Sequence, residues 1–145
     1  MIGLIQRVGS ANVVVKGRQV ASIARGLLVL VGVQKDDGEA EADRLLERLL
    51  GYRVFPDQGG RMNLSLKDVA GGLLLVPQFT LAADTRKGSR AGFSTAAEPA
   101  VAQKCFEYLV SRAQLLWPHT QSGAFGAEMQ VALVNDGPVT FWLES

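Results

Sequence analysis

Apolar and polar positions change rhythm several times along this chain, and the changes outline its elements. Residues 2–8 alternate loosely, as a half-buried strand does, and Val13-Val14-Val15 before Lys16-Gly17 reads as a second strand and a turn. Residues 20–24 and 27–33 predict two more strands, parted by Arg25-Gly26. From 39 to 50 the period lengthens. Leu45, Leu46, Leu49 and Leu50 share one face, and Glu41, Asp43, Arg44, Glu47 and Arg48 include the wet side. That predicts a helix, with Asp37 placed to cap it and Gly51 near its end.

Residues 52–55 read as a short strand closed by a Pro- and Gly-containing turn, and 62–66 as an edge strand or extended arm. Residues 72–81 predict another strand. A loop over 82–97 follows, long enough for a compact domain to suggest function. Pro99 opens a second helix, whose buried stripe is Val101, Cys105, Phe106, Leu109 and Val110. Residues 127–134 alternate, with Met129, Val131 and Val134 on or near one face; Asn135-Asp136-Gly137-Pro138 turns the chain, and 139–143 return as a last strand. Strands dominate and two helices interrupt them. The expected fold is α+β: a curved, barrel-like, mainly antiparallel sheet packed with two helices, in one domain over 1–145.

Composition narrows the setting. Hydrophobic content of 48% and charged content of 20% belong to a globular chain. No apolar run is long enough to span a bilayer, and the N-terminus starts as strand without a secretion signal. A single cysteine, Cys105, rules out an internal disulfide and suits a reducing compartment, so a cytoplasmic protein is expected. A net charge of +1 argues against broad, non-specific nucleic-acid binding, DNA included. Arg86, Lys87 and Arg90 nevertheless cluster in the long loop, as a solvated face or as phosphate contacts.

Familiar catalytic sets are missing. His119 is the only histidine and sits in a loop setting; Cys105 lies on an apolar stripe; one of each makes no usual zinc site. No Gly-rich phosphate loop is present. No metal or cofactor is expected. What remains is Gln78, Phe79 and Thr80, where an amide, a hydroxyl and backbone N–H groups fit either a structural strand end or an oxyanion hole. Gly137-Pro138 fits either a turn or a rigid display of backbone carbonyls, since X-Pro bonds alone readily turn cis and Gly places no side chain in the way.

Taken together, Pro77-Gln78-Phe79-Thr80-Leu81 and Asn135-Asp136-Gly137-Pro138-Val139-Thr140 resemble the paired motifs of the D-aminoacyl-tRNA deacylases. The likeness extends to residues 4–8, 26–33, 61–65 and 80–84 and to the stretch 130–142. It implies hydrolysis of the ester between a D-amino acid and tRNA, and of glycyl-tRNA, including glycine mischarged on tRNA-Ala. It also implies a metal-free homodimer with active sites at the subunit interface. Gln78, Phe79 and Thr80 then line the site of the ester and terminal adenosine. Gly137 and Pro138 enter the partner's site as a Gly-cis-Pro chiral filter, and Arg7 holds them in orientation.

One position departs from the family pattern. Pro77 stands where Ser is usual, which removes a hydroxyl and an N–H. A sister family that edits a different mischarged tRNA carries Pro there, but it has Ala where this chain has Phe79 and an aromatic where this chain has Val139. The alternatives to a D-specific deacylase are therefore an editor of a misacylated L-aminoacyl-tRNA, a non-catalytic binder of the tRNA end, and a small structural dimer.

Overall fold

The computed structural model of the protein describes every residue from Met1 to Ser145. Its first strand, β1 (Ile2–Val15), is continuous where the sequence pattern suggested two strands. Gly9 explains the difference. Val8 faces Asn135 and Ser10 faces Val134 on β8 (Gln130–Glu144), so Gly9 is an extra residue, a β-bulge. The bulge resets which side chains point inward: Val8 is buried, and then Ala11 and Val13. A broken alternation is what an uninterrupted, bulged strand looks like in sequence.

One edge of β1 is shared by β3 (Gly26–Gly32) beside its first half and β2 (Arg18–Ile23) beside its second; β8 runs antiparallel along the other edge. β6 (Gly72–Pro77) joins β3 in parallel, and β7 (Thr120–Ser122), which the sequence pattern did not suggest, joins β6 in parallel. The two parallel ladders need long crossovers, and the helices lie in them: α1 (Glu39–Gly51) between β3 and β6, α2 (Pro99–Leu116) between β6 and β7. β4 (Phe55–Pro56) and β5 (Met62–Leu64) form a separate antiparallel pair. β2 lies against β6 and β7 without pairing to either, so the sheet curls nearly to closure. The architecture is the expected α+β one, a mixed, mostly antiparallel, barrel-like sheet with two helices.

The curl divides the core in two. Leu27, Val29 and Val31 of β3 and Leu73 and Leu75 of β6 face the helices, against Leu45, Leu46 and Leu49 of α1 and Cys105, Phe106 and Leu109 of α2. The intervening Leu28, Leu74 and Val76 face the barrel interior with Val8, Val13 and Ile23. β3 and β6 are therefore buried on both faces, which is why they read as unbroken apolar runs. Each buried Leu is worth about 1.5–3 kcal/mol over exposure.

Three expectations change. Val101 is exposed and Val110 only half-buried; Ala102 and Ala113 complete the α2 stripe. Asp37 does not cap α1. Gly38 takes the cap position, with its N–H donating to Glu41 Oε2 at 3.0 Å. Asp37 instead accepts from the Met1 amine at 2.6 Å and from Gln34 N–H at 2.6 Å.

Candidate functional site

Residues 72–81 are not one strand. β6 stops at Pro77, and Phe79–Ala82 winds into a short 3-10 turn. Gln78 is the joint: its N–H still donates to Val31 O at 2.7 Å, while its carbonyl already accepts from Leu81 N–H at 3.2 Å. The turn leaves the Phe79 and Thr80 N–H groups without a backbone or side-chain acceptor, as the first donors of a helical turn must be. The Gln78 amide donates to Thr80 Oγ1 at 2.6 Å, the only hydrogen bond at that hydroxyl, and no carboxylate, imidazole or amine bonds to it. Two backbone donors, one oriented hydroxyl and no base suit the stabilisation of a negative oxygen better than nucleophilic attack by Thr80.

Beside this turn lies a cleft of about 510 Å³. Val76, Pro77, Phe79, Met129 and Val131 give it an apolar wall, and Gln78 is at its edge. A larger depression of about 860 Å³ shares the 125–129 segment and is otherwise lined by the β1–β2 turn and Gln130. It is lined by none of Gln78, Phe79, Thr80, Gly137 and Pro138, so the smaller cleft, which Gln78 and Phe79 line, is the candidate site.

The second motif is not a hairpin turn. β8 keeps its direction through it and stays on β1. Thr140 faces Gln6 and Asn135 faces Val8, so Arg7 alone stands opposite Asp136, Gly137, Pro138 and Val139, which bulge out of the ladder. Arg7 holds the bulge. Its Nε donates to Asp136 O at 2.9 Å and lies 3.4 Å from the Asp136 carboxylate, and its Nη1 donates to Val54 O at 2.6 Å. The Arg7 side chain is only 11% exposed, although the Asp136 end of its contacts meets water. Gly137 has φ +137°, and a Cβ there would meet Val139 N at 2.8 Å and Arg7 Nη2 at 3.2 Å. The Gly137-Pro138 peptide bond is cis, and both residues are exposed.

Within one chain the two motifs stay apart. Arg7 faces Leu27 at the start of β3, whereas Gln78 bonds to Val31 near its end. Four residues of strand separate those levels by about 13 Å, and the strand order β8-β1-β3-β6 adds three inter-strand spacings, about 14 Å. The structure thus brings Arg7 to Gly137 and Gln78 to Thr80, but not one pair to the other. His119 lies at the opposite end of β6 from Gln78, its carbonyl accepting from Leu73 N–H and its ring edge-on to Trp117. Cys105 is buried against α1, and burial pushes its thiol up to about 11.

Sequence reasoning passed over Met129 and Val131 as site residues and Phe93 as a neighbour of Phe79. Their rings centre 5.3 Å apart. An isolated Phe in a long loop carries no signal of the partner it will meet.

A family model described as D-Tyr-tRNA(Tyr) deacylase matches residues 4–144. The chain belongs to that family. It is 62% identical to the D-aminoacyl-tRNA deacylase of Thioalkalivibrio sulfidiphilus over 99% of this chain and 97% of the relative. It is 61% identical to that of Stutzerimonas stutzeri over the full length of both. As a D-Tyr-tRNA(Tyr) deacylase family member the chain is an enzyme. Among solved structures, the c-Myc DNA unwinding element binding protein superimposes with a TM-score of 0.95 at 35% identity, covering 100% of this chain and 99% of that one. A probable eukaryotic D-amino acid tRNA deacylase shares the fold, with a TM-score of 0.86 at 16% identity over 99% and 98% of the two chains.

Proposed function

We propose that this deacylase is a cytoplasmic homodimer that hydrolyses the ester joining a D-amino acid to the terminal ribose of tRNA. It accepts glycyl-tRNA, including glycine mischarged on tRNA-Ala, and spares L-aminoacyl-tRNA. The observation that carries this reading is the pair of unengaged N–H groups at Phe79 and Thr80, in a turn whose Phe79 lines an apolar cleft. In the reaction, water adds to the ester carbonyl and the carbonyl oxygen takes up negative charge between those two donors. The ribose 3′-oxygen then leaves and takes a proton, with the neighbouring 2′-hydroxyl assisting. Thr80, oriented by Gln78, positions the substrate.

Stereochemistry is read by the partner subunit's copy of Gly137 and Pro138. D, L and glycyl esters share an amino group and a carbonyl and differ in where the side chain points. A wall of main chain leaves no room for an L side chain, lets a D side chain point to solvent, and has nothing to exclude in glycine. Two features support a second copy. The two motifs lie on the order of 20 Å apart in one chain by strand register. In addition, Trp142, Leu4, Leu30 and Val76 form a row across β8, β1, β3 and β6 that runs to the cleft, with Trp142 50% exposed and the outer edge of β8 unpaired.

The test is deacylation of D-tyrosyl-, L-tyrosyl- and glycyl-tRNA by the purified protein with chelator present. Loss of the D and glycyl esters with the L ester intact is the expected result. Inertness toward all three sinks the proposal, and loss of the L ester makes Pro77 the mark of a different editor.

A further inference from the structure

The segment between the 3-10 turn and α2 is a built hairpin, not a slack loop. Asp84 and Gly92 exchange backbone hydrogen bonds of 2.8 and 2.9 Å and close it. Gly88, at φ +68°, makes the tip. Inside it the Asp84 carboxylate accepts from Arg86 Nε and Nη2, both at 2.9 Å, and from Arg86 N–H at 3.1 Å. The Arg86 guanidinium holds that carboxyl well below the usual range, so the pair stays ionised and internally neutral. At the base, Thr95 Oγ1 donates to Ala82 O, and Lys35 N–H donates to Thr95 O at 3.0 Å.

This arrangement leaves two cations uncompensated. Residues 82–97 carry Arg86, Lys87 and Arg90 against Asp84 alone, three positive charges less one negative. Arg86 and Asp84 cancel, and neither Lys87 nor Arg90, both exposed, has an ion-pair partner. The hairpin also ends on an aromatic pair. Phe93 leans on Phe79 at 42°, yet Phe79 is 59% and Phe93 46% exposed. Two wet phenyl rings have no structural use in the core. Exposed rings beside uncompensated cations are the combination that holds single-stranded nucleic acid, by stacking on unpaired bases and neutralising phosphates.

We infer that the 84–93 hairpin is the RNA-holding arm of the enzyme. Lys87 and Arg90 bind backbone phosphates of the single-stranded 3′ end, and Phe93 extends the base-stacking surface beyond the Phe79 ring it leans on. The inference rests on the proposed deacylase reading and goes beyond it by giving the loop a task separate from chemistry: it sets affinity for the RNA, not the rate of ester cleavage. Because the chain is close to neutral overall, this arm is where the polyanion is met.

Steady-state kinetics on two substrates test it: D-tyrosyl-tRNA, and the D-tyrosyl ester of adenosine, which carries no phosphate. The Lys87→Ala/Arg90→Ala double variant is expected to raise KM for the tRNA about tenfold with kcat nearly kept, so that the tRNA-to-nucleoside ratio of kcat/KM falls. The slope of log KM against log salt for the tRNA is expected to drop by about 1.4, the value for two phosphates on a single strand. Phe93→Ala is expected to raise the tRNA KM several-fold, whereas the conservative Phe93→Tyr and Lys87→Arg keep it near the wild-type value. An unchanged ratio and salt slope in the double variant, with wild-type turnover intact, overturn the inference. Wild-type protein inert toward both substrates overturns the deacylase reading instead. The salt dependence of binding to uncharged tRNA, compared between wild type and double variant, then decides the role of the arm by the same change in slope.

Discussion

The turn at Phe79-Thr80 and the bulge at Gly137-Pro138 leave the same sheet in opposite ways. The first is made by ending a strand. β6 stops, the chain tightens, and two N–H donors are exposed because a helical turn has just begun. No charged side chain fastens it; the start of the turn itself makes it a donor surface. The second is made without ending a strand. β8 continues on β1 at both ends, the excess residues are pushed outward, and a nearly buried arginine from β1 fastens them. The contrast separates two tasks. Donors for a developing charge come with the start of a turn, whereas holding a stretch of bare main chain outside a ladder requires a dedicated side chain.

The comparison breaks most sharply at Gly137. Gly137→Ala places a Cβ 2.8 Å from Val139 N at a φ that disfavours side chains, so the bulge must shift. A displacement near 1 Å in a positioning element costs on the order of 100-fold, and that loss is expected in kcat/KM for the D ester with little change in thermal midpoint. Co-expression sharpens it. Chains carrying Gly137→Ala mixed with chains carrying Gln78→Ala regain about a quarter of wild-type activity if sites are shared between subunits, and none if they are not. Next comes Trp142→Glu, which puts a charge in the apolar row leading to the cleft. Light scattering is expected to find monomer, with turnover reduced more than tenfold; an active monomer removes the cross-subunit site.

Arg7→Met is smaller. It leaves Val54 O and Asp136 O without their charged donor, for a destabilisation of about 2–4 kcal/mol by denaturant melt, and blunts D/L discrimination before it abolishes cleavage. The smallest effect is at Cys105. Burial, and then the nearby Asp37 charge, raise its thiol to about 11, so the folded state keeps a proton that the unfolded chain releases near 8.5. Stability from this group is whole below pH 8.5 and is lost as pH rises toward 11. At pH 8 an alkylating reagent is expected to label Cys105 only in denaturant. Rapid labelling of the native protein sinks that expectation.

Sequence was informative where a local pattern has one structural meaning. The α1 stripe of Leu45, Leu46 and Leu49 and the double-sided burial of residues 27–31 are such cases, since period and apolarity determine them. It misled where one signal serves two structures. Asn135-Asp136-Gly137-Pro138 reads identically as a hairpin turn and as a bulge, because the choice depends on Arg7, which lies 129 residues away in sequence from the carbonyl it binds. Likewise Gln78 to Leu81 has strand-like composition and becomes a 3-10 turn because Val31 O captures Gln78 N–H at the end of the parallel ladder. β7 is three residues recruited by β6, too short to show a period. The two motifs could be picked out from the sequence, but not the turn and the bulge that they form.

The pairing of the first strand with the last has a consequence during synthesis. β1 can pair with β2 and β3 as soon as they emerge, but its other edge waits for β8, the most distant ladder in the chain. Contacts of such sequence separation are the slow part of folding. Until then β1 presents an open strand edge, a hazard for mispairing. Arg7 meanwhile is made early and has nothing to hold. The ribosome therefore delivers the donor turn at Phe79 well before the Gly137-Pro138 bulge, and the turn must wait for the last strand, which completes both the cleft wall at Val131 and the bulge.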